Sequence, residues 1–251
     1  MANIPYGTGA NQAVRLNGSA QLPAVDGTQL TGVIKAPVAP YIVTGGVAVD
    51  ERQGLADELT GTSLDAIWTP YGVGGNRTIT PTVNGVVLAD TVGDNTVWGA
   101  DATLPNMGMR RIQFKMALKY ATFGNTTNTY FHIEGTGGKI IDLYHYYTGG
   151  GWNAKWSDSG GNRVTVGGLS EEINVCGMLD PVSGAARMSY RTIAYDSDSG
   201  WPGEVAGWTP IGSFFVVAVG NLLVAPTVGF RALASTAQSV TVRGFKVRYL
   251  G

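Results

Sequence analysis

The chain has 251 residues and a net charge of −1, and only 14% of its residues are charged, against about 25% in an average soluble protein. A net charge this close to zero produces no long-range field to hold DNA, RNA or an anionic membrane, so we do not expect nucleic-acid binding. The longest apolar run, residues 214–219, is far too short to span a bilayer, so no membrane insertion is expected.

The N-terminal stretch 16–33, LNGSAQLPAVDGTQLTGV, is polar and rich in turn residues. Pro23 removes a backbone donor and Asp26-Gly27 is a turn dipeptide, so we do not expect an amphipathic helix. The apolar residues of this stretch are too few to close a core of their own: Leu16, Leu22, Val25, Leu30 and Val33. We therefore predict an extended assembly arm that is ordered by lying against another polypeptide. With the Pro-rich spacer that follows, the arm is predicted to occupy residues 1–40.

Residues 41–251 alternate strand and turn signals and are predicted to form one domain. In residues 110–120, apolar and polar side chains alternate at every second position, which is typical of a sheet with one solvated face. No window shows a convincing helical period. About a dozen antiparallel strands predict an all-β sandwich or barrel. We prefer the sandwich because residues 239–250 also alternate, with a predicted bulge at Gly244.

Two segments of this domain resemble parts of a known fold. Residues 57–69, DELTGTSLDAIWT, resemble the opening of concanavalin-like jelly rolls, including laminin-G-like modules and laminarinase-type glycoside hydrolases. Residues 239–250, SVTVRGFKVRYL, resemble the last strand of that fold. The resemblance implies an antiparallel β-sandwich of the concanavalin-like jelly-roll type.

The chain has fewer candidate catalytic carboxylates than the glycoside hydrolases of that fold. Those enzymes carry carboxylates at alternating positions of one strand, because alternation places them on one face. Here the corresponding strand, residues 139–147, has Asp142 as its only carboxylate, and no E-x-D-x-x-E pattern occurs. His132 and His145 lack zinc-ligand spacing and are interpreted as ordinary sheet residues with cross-strand partners. We therefore predict no catalytic residue, no metal site, no cofactor and a chain that is not an enzyme.

The densest aromatic cluster of the sequence comprises Tyr144, Tyr146, Tyr147, Trp152 and Trp156. Sugars stack their apolar C–H faces on such rings while Asp and Asn side chains bind the hydroxyl groups, so the cluster is a candidate glycan-binding site. One alternative is packing, with Tyr144 and Tyr146 in the sandwich core and Trp152 capping a hairpin. Another alternative is contact with a second subunit.

A second aromatic segment, residues 195–208, contains Trp201 and Trp208. Its D-x-D spacing lacks the further carboxylates of a calcium loop, so a solvated loop is the preferred interpretation. The two tryptophans still need a cover, which the sandwich edge or a bound partner would supply. The single cysteine, Cys176, is interpreted as a small buried hydrophobic residue.

Residues 16–33 resemble a motif that recurs near the N-termini of bacteriophage fibre, appendage and other virion structural proteins. The resemblance implies a structural component of a phage virion, whose arm attaches to capsid or tail proteins and whose jelly roll is displayed as a decoration or host-adhesion module. A homotrimer is expected, because three extended chains can cover each other's apolar side chains about one axis. The alternative function is a lectin-like module that binds a host surface glycan.

Overall fold

The computed structural model describes residues 53–104, 111–135, 139–158, 161–180, 183, 185–192, 200–202, 205–212, 215–216 and 226–250. These residues form strands, turns and loops with no helix among them, so the all-β prediction is confirmed. In this part of the chain, nothing has the length and apolar character of a membrane-crossing helix. The predicted arm at 1–40 lies outside the described residues, and so do its five apolar positions: Leu16, Leu22, Val25, Leu30 and Val33.

Nine strands form the first sheet, and all of its strand pairs are antiparallel. Its main path runs in the order β13 (Thr209–Pro210), β12 (Ala185–Arg191), β11 (Glu172–Leu179), β6 (Arg111–Thr122), β16 (Gln238–Leu250), β4 (Gly85–Asp90) and β3 (Arg77–Thr82). In addition, β1 (Gln53–Asp57) pairs with β16, and β14 (Phe215–Val216) pairs with β12. The strand β16 therefore lies in the interior of this sheet, between β6 and β4.

Seven strands form the second antiparallel sheet. Their order is β10 (Gly161–Leu169), β9 (Gly151–Asp158), β8 (Lys139–Thr148), β7 (Thr127–Gly135), β15 (Thr227–Ala234), β5 (Trp98–Thr103) and β2 (Thr69–Tyr71). Strands β7 to β10 pair in succession, whereas β15 lies between β7 and β5. This insertion brings side chains from distant parts of the chain onto one surface.

The core lies between the two sheets and is rich in aromatic rings. Phe131 of β7 stacks on Phe245 of β16, with ring centroids 4.4 Å apart, and lies 4.5 Å from the ring of Phe114 on β6. These contacts join the inner faces of both sheets, so the predicted sandwich is confirmed. The bulkiest of the fully buried side chains are Trp98, Trp156, Phe114, Phe131, Phe230 and Phe245.

Strand β6 shows the predicted alternation, but the middle of its predicted solvated face is covered. On the face opposite the core, the side chains of Arg111 and Lys119 are 60% and 53% exposed, whereas Gln113 and Lys115 are only 6% and 3% exposed. A loop covers this middle part, with Trp201 lying 4.9 Å from the Lys115 ammonium. The inner positions are buried as predicted: Ile112, Phe114, Met116 and Leu118.

Both segments that resemble jelly-roll sequences have defined structural roles. Asp57 accepts hydrogen bonds from the backbone N–H of Leu59 and from the indole N–H of Trp68, each at 2.7 Å. This buried carboxylate thereby holds the first loop against the core. The bulge predicted at Gly244 is confirmed, since the β16–β6 register shifts there and the residue has a φ of 60°.

Candidate functional site

The outer face of the seven-stranded sheet, turned away from the core, carries two adjacent rows of side chains. The first row crosses all seven strands through direct cross-strand partners: Thr165, Lys155, Tyr144, Tyr130, Arg231, Gly99 and Tyr71. We call Lys155, Tyr144, Tyr130, Arg231 and Tyr71 the tyrosine row. Because neighbouring strands lie about 4.8 Å apart, this row spans about 24 Å from β9 to β2.

The rings of the tyrosine row contact each other and two cations. The ring centroids of Tyr130 and Tyr144 are 4.5 Å apart. The Lys155 ammonium lies 4.7 Å from the Tyr144 centroid and 5.1 Å from that of Tyr146, and the Arg231 guanidinium carbon lies 5.1 Å from the Tyr71 centroid. A cation over an aromatic face is attracted by the ring quadrupole, so these contacts hold the rings side by side.

The second row, which we call the polar row, consists of the cross-strand partners Ser157, Asp142, His132, Gly229 and Asp101. His132 Nδ1 lies 2.6 Å from Asp142 Oδ1. The interpretation of His132 as a sheet residue with a cross-strand partner is therefore confirmed. In the described part of the chain, no group of three or more His, Cys, Asp or Glu residues is placed to hold a metal ion.

Further hydrogen bonds connect the polar row with the tyrosine row. Glu134 Oε2 lies 3.3 Å from His132 Nε2, and the Tyr144 hydroxyl donates to Asp142 Oδ2 at 3.0 Å. Arg231 donates to Asp101 through Nη2 at 2.7 Å and through Nε at 3.2 Å. Such a bidentate pair fixes the guanidinium plane.

Glycine at position 229 makes room for the Asp101 carboxylate. A Cβ atom on Gly229 would lie 2.1 Å from Asp101 Oδ1 and 2.7 Å from the carbonyl oxygen of Ala100. Both distances are shorter than a van der Waals contact, so a side chain there would push the carboxylate away from Arg231. The absence of a side chain at Gly229 thus allows the Asp101–Arg231 ion pair to form on this face.

Burial keeps the hydroxyl groups of this face protonated. Burial raises the pKa of Tyr71, Tyr130 and Tyr144. The Asp101 carboxylate raises the pKa of Tyr71 further, and Asp142 does the same for the other two. The three phenols therefore remain neutral hydrogen-bond donors at physiological pH.

The pKa values of the two cationic side chains of the tyrosine row are shifted in opposite directions. Burial lowers the pKa of Lys155, although Asp142 opposes this effect. Burial disfavours the charged form of Arg231 as well, but the hydrogen bonds and charge of Asp101 outweigh it and raise the pKa of the guanidinium. The outer face consequently combines neutral donors, carboxylate acceptors and cations that lie within the same surface.

The structure divides the predicted glycan-binding cluster between the two faces of the sheet. Tyr144 and Tyr146 lie half-buried on the outer face, so the alternative that placed them in the core is wrong. Trp152 and Trp156 are 6% and 0% exposed and belong to the core, and Tyr147 packs against it. Including these three residues in a stacking surface was wrong, because strand alternation turns them inward.

Sequence reasoning missed Tyr71, Tyr130, Asp101 and Arg231 as members of this face. They lie on four different strands, and no local pattern shows that these strands are neighbours. The alternation of residues 130–135 was a usable signal, since it places Tyr130 on the polar side of its strand.

No family model and no curated protein matches the chain. Several solved structures resemble it in fold. A GH43 glycoside hydrolase, engineered to display both endo-xylanase and exo-arabinofuranosidase activity, has a TM-score of 0.55 and 14% identity, over 84% of this chain and 42% of that one. A xylan β-1,4-xylosidase from Bacillus halodurans C-125 has a TM-score of 0.54 and 10% identity, over 77% and 38%. Arcelin-5, a lectin-like defence protein from Phaseolus vulgaris, has a TM-score of 0.50 and 8% identity, over 78% and 96%.

At these identities the likeness shows the fold alone, and the chain spans about two fifths of the length of the glycoside hydrolases that it resembles. It nevertheless corrects one prediction. The exclusion of an enzyme is corrected, because the sandwich is shared with glycoside hydrolases and the fold gives no ground for excluding one. The absence of the E-x-D-x-x-E pattern was judged against laminarinase-type hydrolases alone and was too narrow a basis for that exclusion. These structures do not bear on the bacteriophage resemblance of residues 16–33, which stays a prediction.

Proposed function

We propose that the outer face of the seven-stranded sheet binds a carbohydrate. The observation that carries the proposal is the tyrosine row, in which the half-buried rings of Tyr71 and Tyr144 lie beside carboxylates. Sugars need both features, since their C–H faces stack on aromatic rings and their hydroxyl groups bond to polar side chains. The sandwich shared with a lectin-like protein and with glycoside hydrolases supports the proposal.

Tyr146 and Tyr144 supply the stacking surface in this proposal. Both rings lie about 5 Å from the Lys155 ammonium, which holds them at a defined position. Glu134, whose side chain is 40% exposed, accepts hydrogen bonds from sugar hydroxyl groups. The Tyr144 hydroxyl, whose proton goes to Asp142, offers its oxygen as a further acceptor. The length of the row, about 24 Å, suits an oligosaccharide better than a single sugar.

The charge balance of the face favours a neutral glycan. The side chains of Arg231 and Asp101 form a bidentate ion pair and neutralise each other. Lys155 lies on the same surface and offsets one of the two carboxylates Asp142 and Glu134, so the face has only a small net negative charge. An oligosaccharide without acidic groups therefore meets no large repulsion on this surface.

The test is calorimetric titration of the full chain with a panel of neutral oligosaccharides, including xylan and arabinoxylan fragments. We expect at least one glycan to bind, and Tyr146→Ala to weaken its binding about tenfold through loss of stacking. Phe123→Ala is the matched control, because this aromatic ring is 41% exposed and lies away from the tyrosine row. Failure of the whole panel to bind, or unchanged affinity in Tyr146→Ala, would overturn the proposal. Any glycan that binds should also be assayed for hydrolysis.

We also propose, from the sequence of residues 16–33, that the chain is a virion structural component that presents this face to a host glycan. Deletion of residues 1–40 should then abolish incorporation into particles while the remaining domain keeps its melting temperature. The paired change of Leu22→Asp and Leu30→Asp should loosen particle attachment or the expected homotrimer in the same way. Normal assembly of the deletion variant would contradict the virion role and leave the glycan proposal standing.

A further inference from the structure

A loop covers the outer face of the nine-stranded sheet, on the opposite side of the sandwich from the tyrosine row. The Trp201 ring lies 4.2 Å from the Arg248 guanidinium carbon and 4.9 Å from the Lys115 ammonium. Lys115 also donates to the carbonyl oxygen of Gly200 at 2.9 Å. Because Lys115 is only 3% exposed, these contacts hold the loop firmly on strands β6 and β16.

Next to this attachment, the loop and the sheet enclose a cavity of about 290 Å³. Its floor includes Gln113, Cys176 and Ser189 from three adjacent strands, and its roof includes Val205 and Trp208 from the loop. The volume lies near the lower end for small-molecule pockets, which begins at about 300 Å³. The cavity therefore has the size for one small organic molecule.

The polar groups of this cavity are mainly hydrogen-bond donors. Gln113 Oε1 already accepts two hydrogen bonds from Arg248, at 2.8 Å and 2.6 Å, so its amide NH₂ remains to donate. The indole N–H of Trp208 is buried and has no hydrogen-bond partner among the described residues. Ser189 adds a hydroxyl group. Buried donors without acceptors are costly, so a ligand that brings acceptors would be favoured.

The described charged groups around the cavity are cationic. Arg187 lines it, Arg248 donates to Gln113, and Lys115 and Arg248 both act electrostatically on the Cys176 thiol of the floor. None of the described lining residues is acidic. Burial raises the pKa of Cys176 to about 12, so its thiol adds no negative charge. An anionic group is therefore better accommodated here than a cationic one.

We propose that this cavity binds a small organic carboxylate. The carboxylate oxygens accept hydrogen bonds from Trp208, Ser189 and the Gln113 amide, and the positive surroundings stabilise the charge. The rest of the ligand packs against the apolar part of the lining, which includes Met178, Val205 and the Trp208 ring. This site is independent of the proposed glycan-binding face, because the two lie on different sheets.

Two matched probe pairs test the proposal on the full chain by calorimetry. Benzoate is compared with benzyl alcohol, and glucuronate with glucose, so that each pair differs mainly in the carboxylate. We expect at least one acid to bind saturably and its neutral partner to bind about tenfold more weakly or not at all. The better acid tells whether a planar ring or a sugar ring fits the apolar lining. Equal binding within both pairs, or no binding of either acid, would overturn the proposal.

Trp208→Phe tests the role of the indole N–H, because it keeps an aromatic ring and removes the donor. It should weaken binding of the acid about tenfold. Ser189→Ala is a second variant with a smaller expected change, and melting temperatures establish that both proteins fold. Tyr146→Ala, on the other sheet, should leave acid binding unchanged. Wild-type affinity in both cavity variants would contradict the assignment, whatever the outcome for neutral glycans.

Discussion

Strands β8 and β9 carry aromatic residues on both faces of the seven-stranded sheet, and the two faces surround those rings differently. On the inner face, Trp156 is fully buried and the ring of His145 stacks on that of Trp152, with centroids 4.7 Å apart. On the outer face, Tyr146 is half-buried and lies 5.1 Å from the Lys155 ammonium. Apolar groups enclose the inner rings, whereas charged groups flank the outer ones.

This difference shows that the surroundings of an aromatic ring, more than its residue type, decide whether the ring stabilises the core or is available to a ligand. An inner ring contributes apolar burial, and its removal leaves a cavity that the sheets cannot fully close. An outer ring leaves part of its surface accessible beside polar groups, which a ligand can use. Changes on the inner face should therefore reduce stability, and changes on the outer face should reduce binding.

The largest expected effect comes from removing an inner ring. Trp156→Ala should lower the free energy of unfolding by about 3–5 kcal/mol, because it deletes a fully buried side chain. The outer-face variant Tyr146→Ala should change it by less than about 1 kcal/mol. Denaturant unfolding of both variants measures the two values. Equal losses of unfolding free energy in the two variants would contradict the distinction between the two faces.

A pH-dependent effect on stability is expected from His145 of the inner face. Burial lowers the pKa of this histidine to about 3, with the Ser170 backbone opposing the shift from the usual 6.5. Between these values the unfolded chain binds a proton that the folded chain does not, so stability is complete above about pH 6.5 and is lost as the pH falls towards 3. At pH 4 the loss should be roughly 2–4 kcal/mol.

His145→Phe isolates this contribution, because it keeps a ring against Trp152 and removes the titrating group. Unfolding free energies of the variant and the parent, measured between pH 4 and 7, should differ in slope, with the variant less sensitive to acid. Parallel curves would show that His145 titrates normally in the folded protein.

The smallest of the three expected stability losses comes from breaking an ion pair on the outer face. Asp101→Ala removes the bidentate partner of Arg231, whose side chain is only 17% exposed, and should cost about 1–3 kcal/mol of unfolding free energy. The matched control is Asp94→Ala, which removes the 50% exposed carboxylate that pairs with Arg77 and should have a clearly smaller effect. Similar losses in thermal or chemical unfolding would mean that the Asp101 pair is as solvated as the Asp94 pair.

Several features of the fold were predictable from local patterns. The alternation in residues 110–120 identified the inner residues of β6, and the break in alternation identified the bulge at Gly244. The direction in which strand β8 faces was not predictable. Aromatic residues lie on both of its faces, so composition does not reveal which set points inward, and a shift of one residue exchanges the faces. Strand β9 was predictable, because Trp152, Ala154 and Trp156 alternate with polar residues.

The candidate site was predictable only in part, through Tyr144 and Tyr146. Arg231, Asp101 and Tyr71 join it only because β15 lies between β7 and β5. The covered face of β6 was equally unpredictable, because nothing in the alternation of its residues shows that Trp201 lies over Lys115.

The sequence by itself determined that this protein is all-β, where its longest strands alternate and where the last strand bulges. These properties depend on neighbouring residues along the chain, because strand periodicity and glycine conformation are local. Only the tertiary structure decided which rings face outward and which donors enclose the cavity. Arg231 and Asp101 are 130 positions apart and meet only because their strands pair, and such pairing is set by the whole sheet.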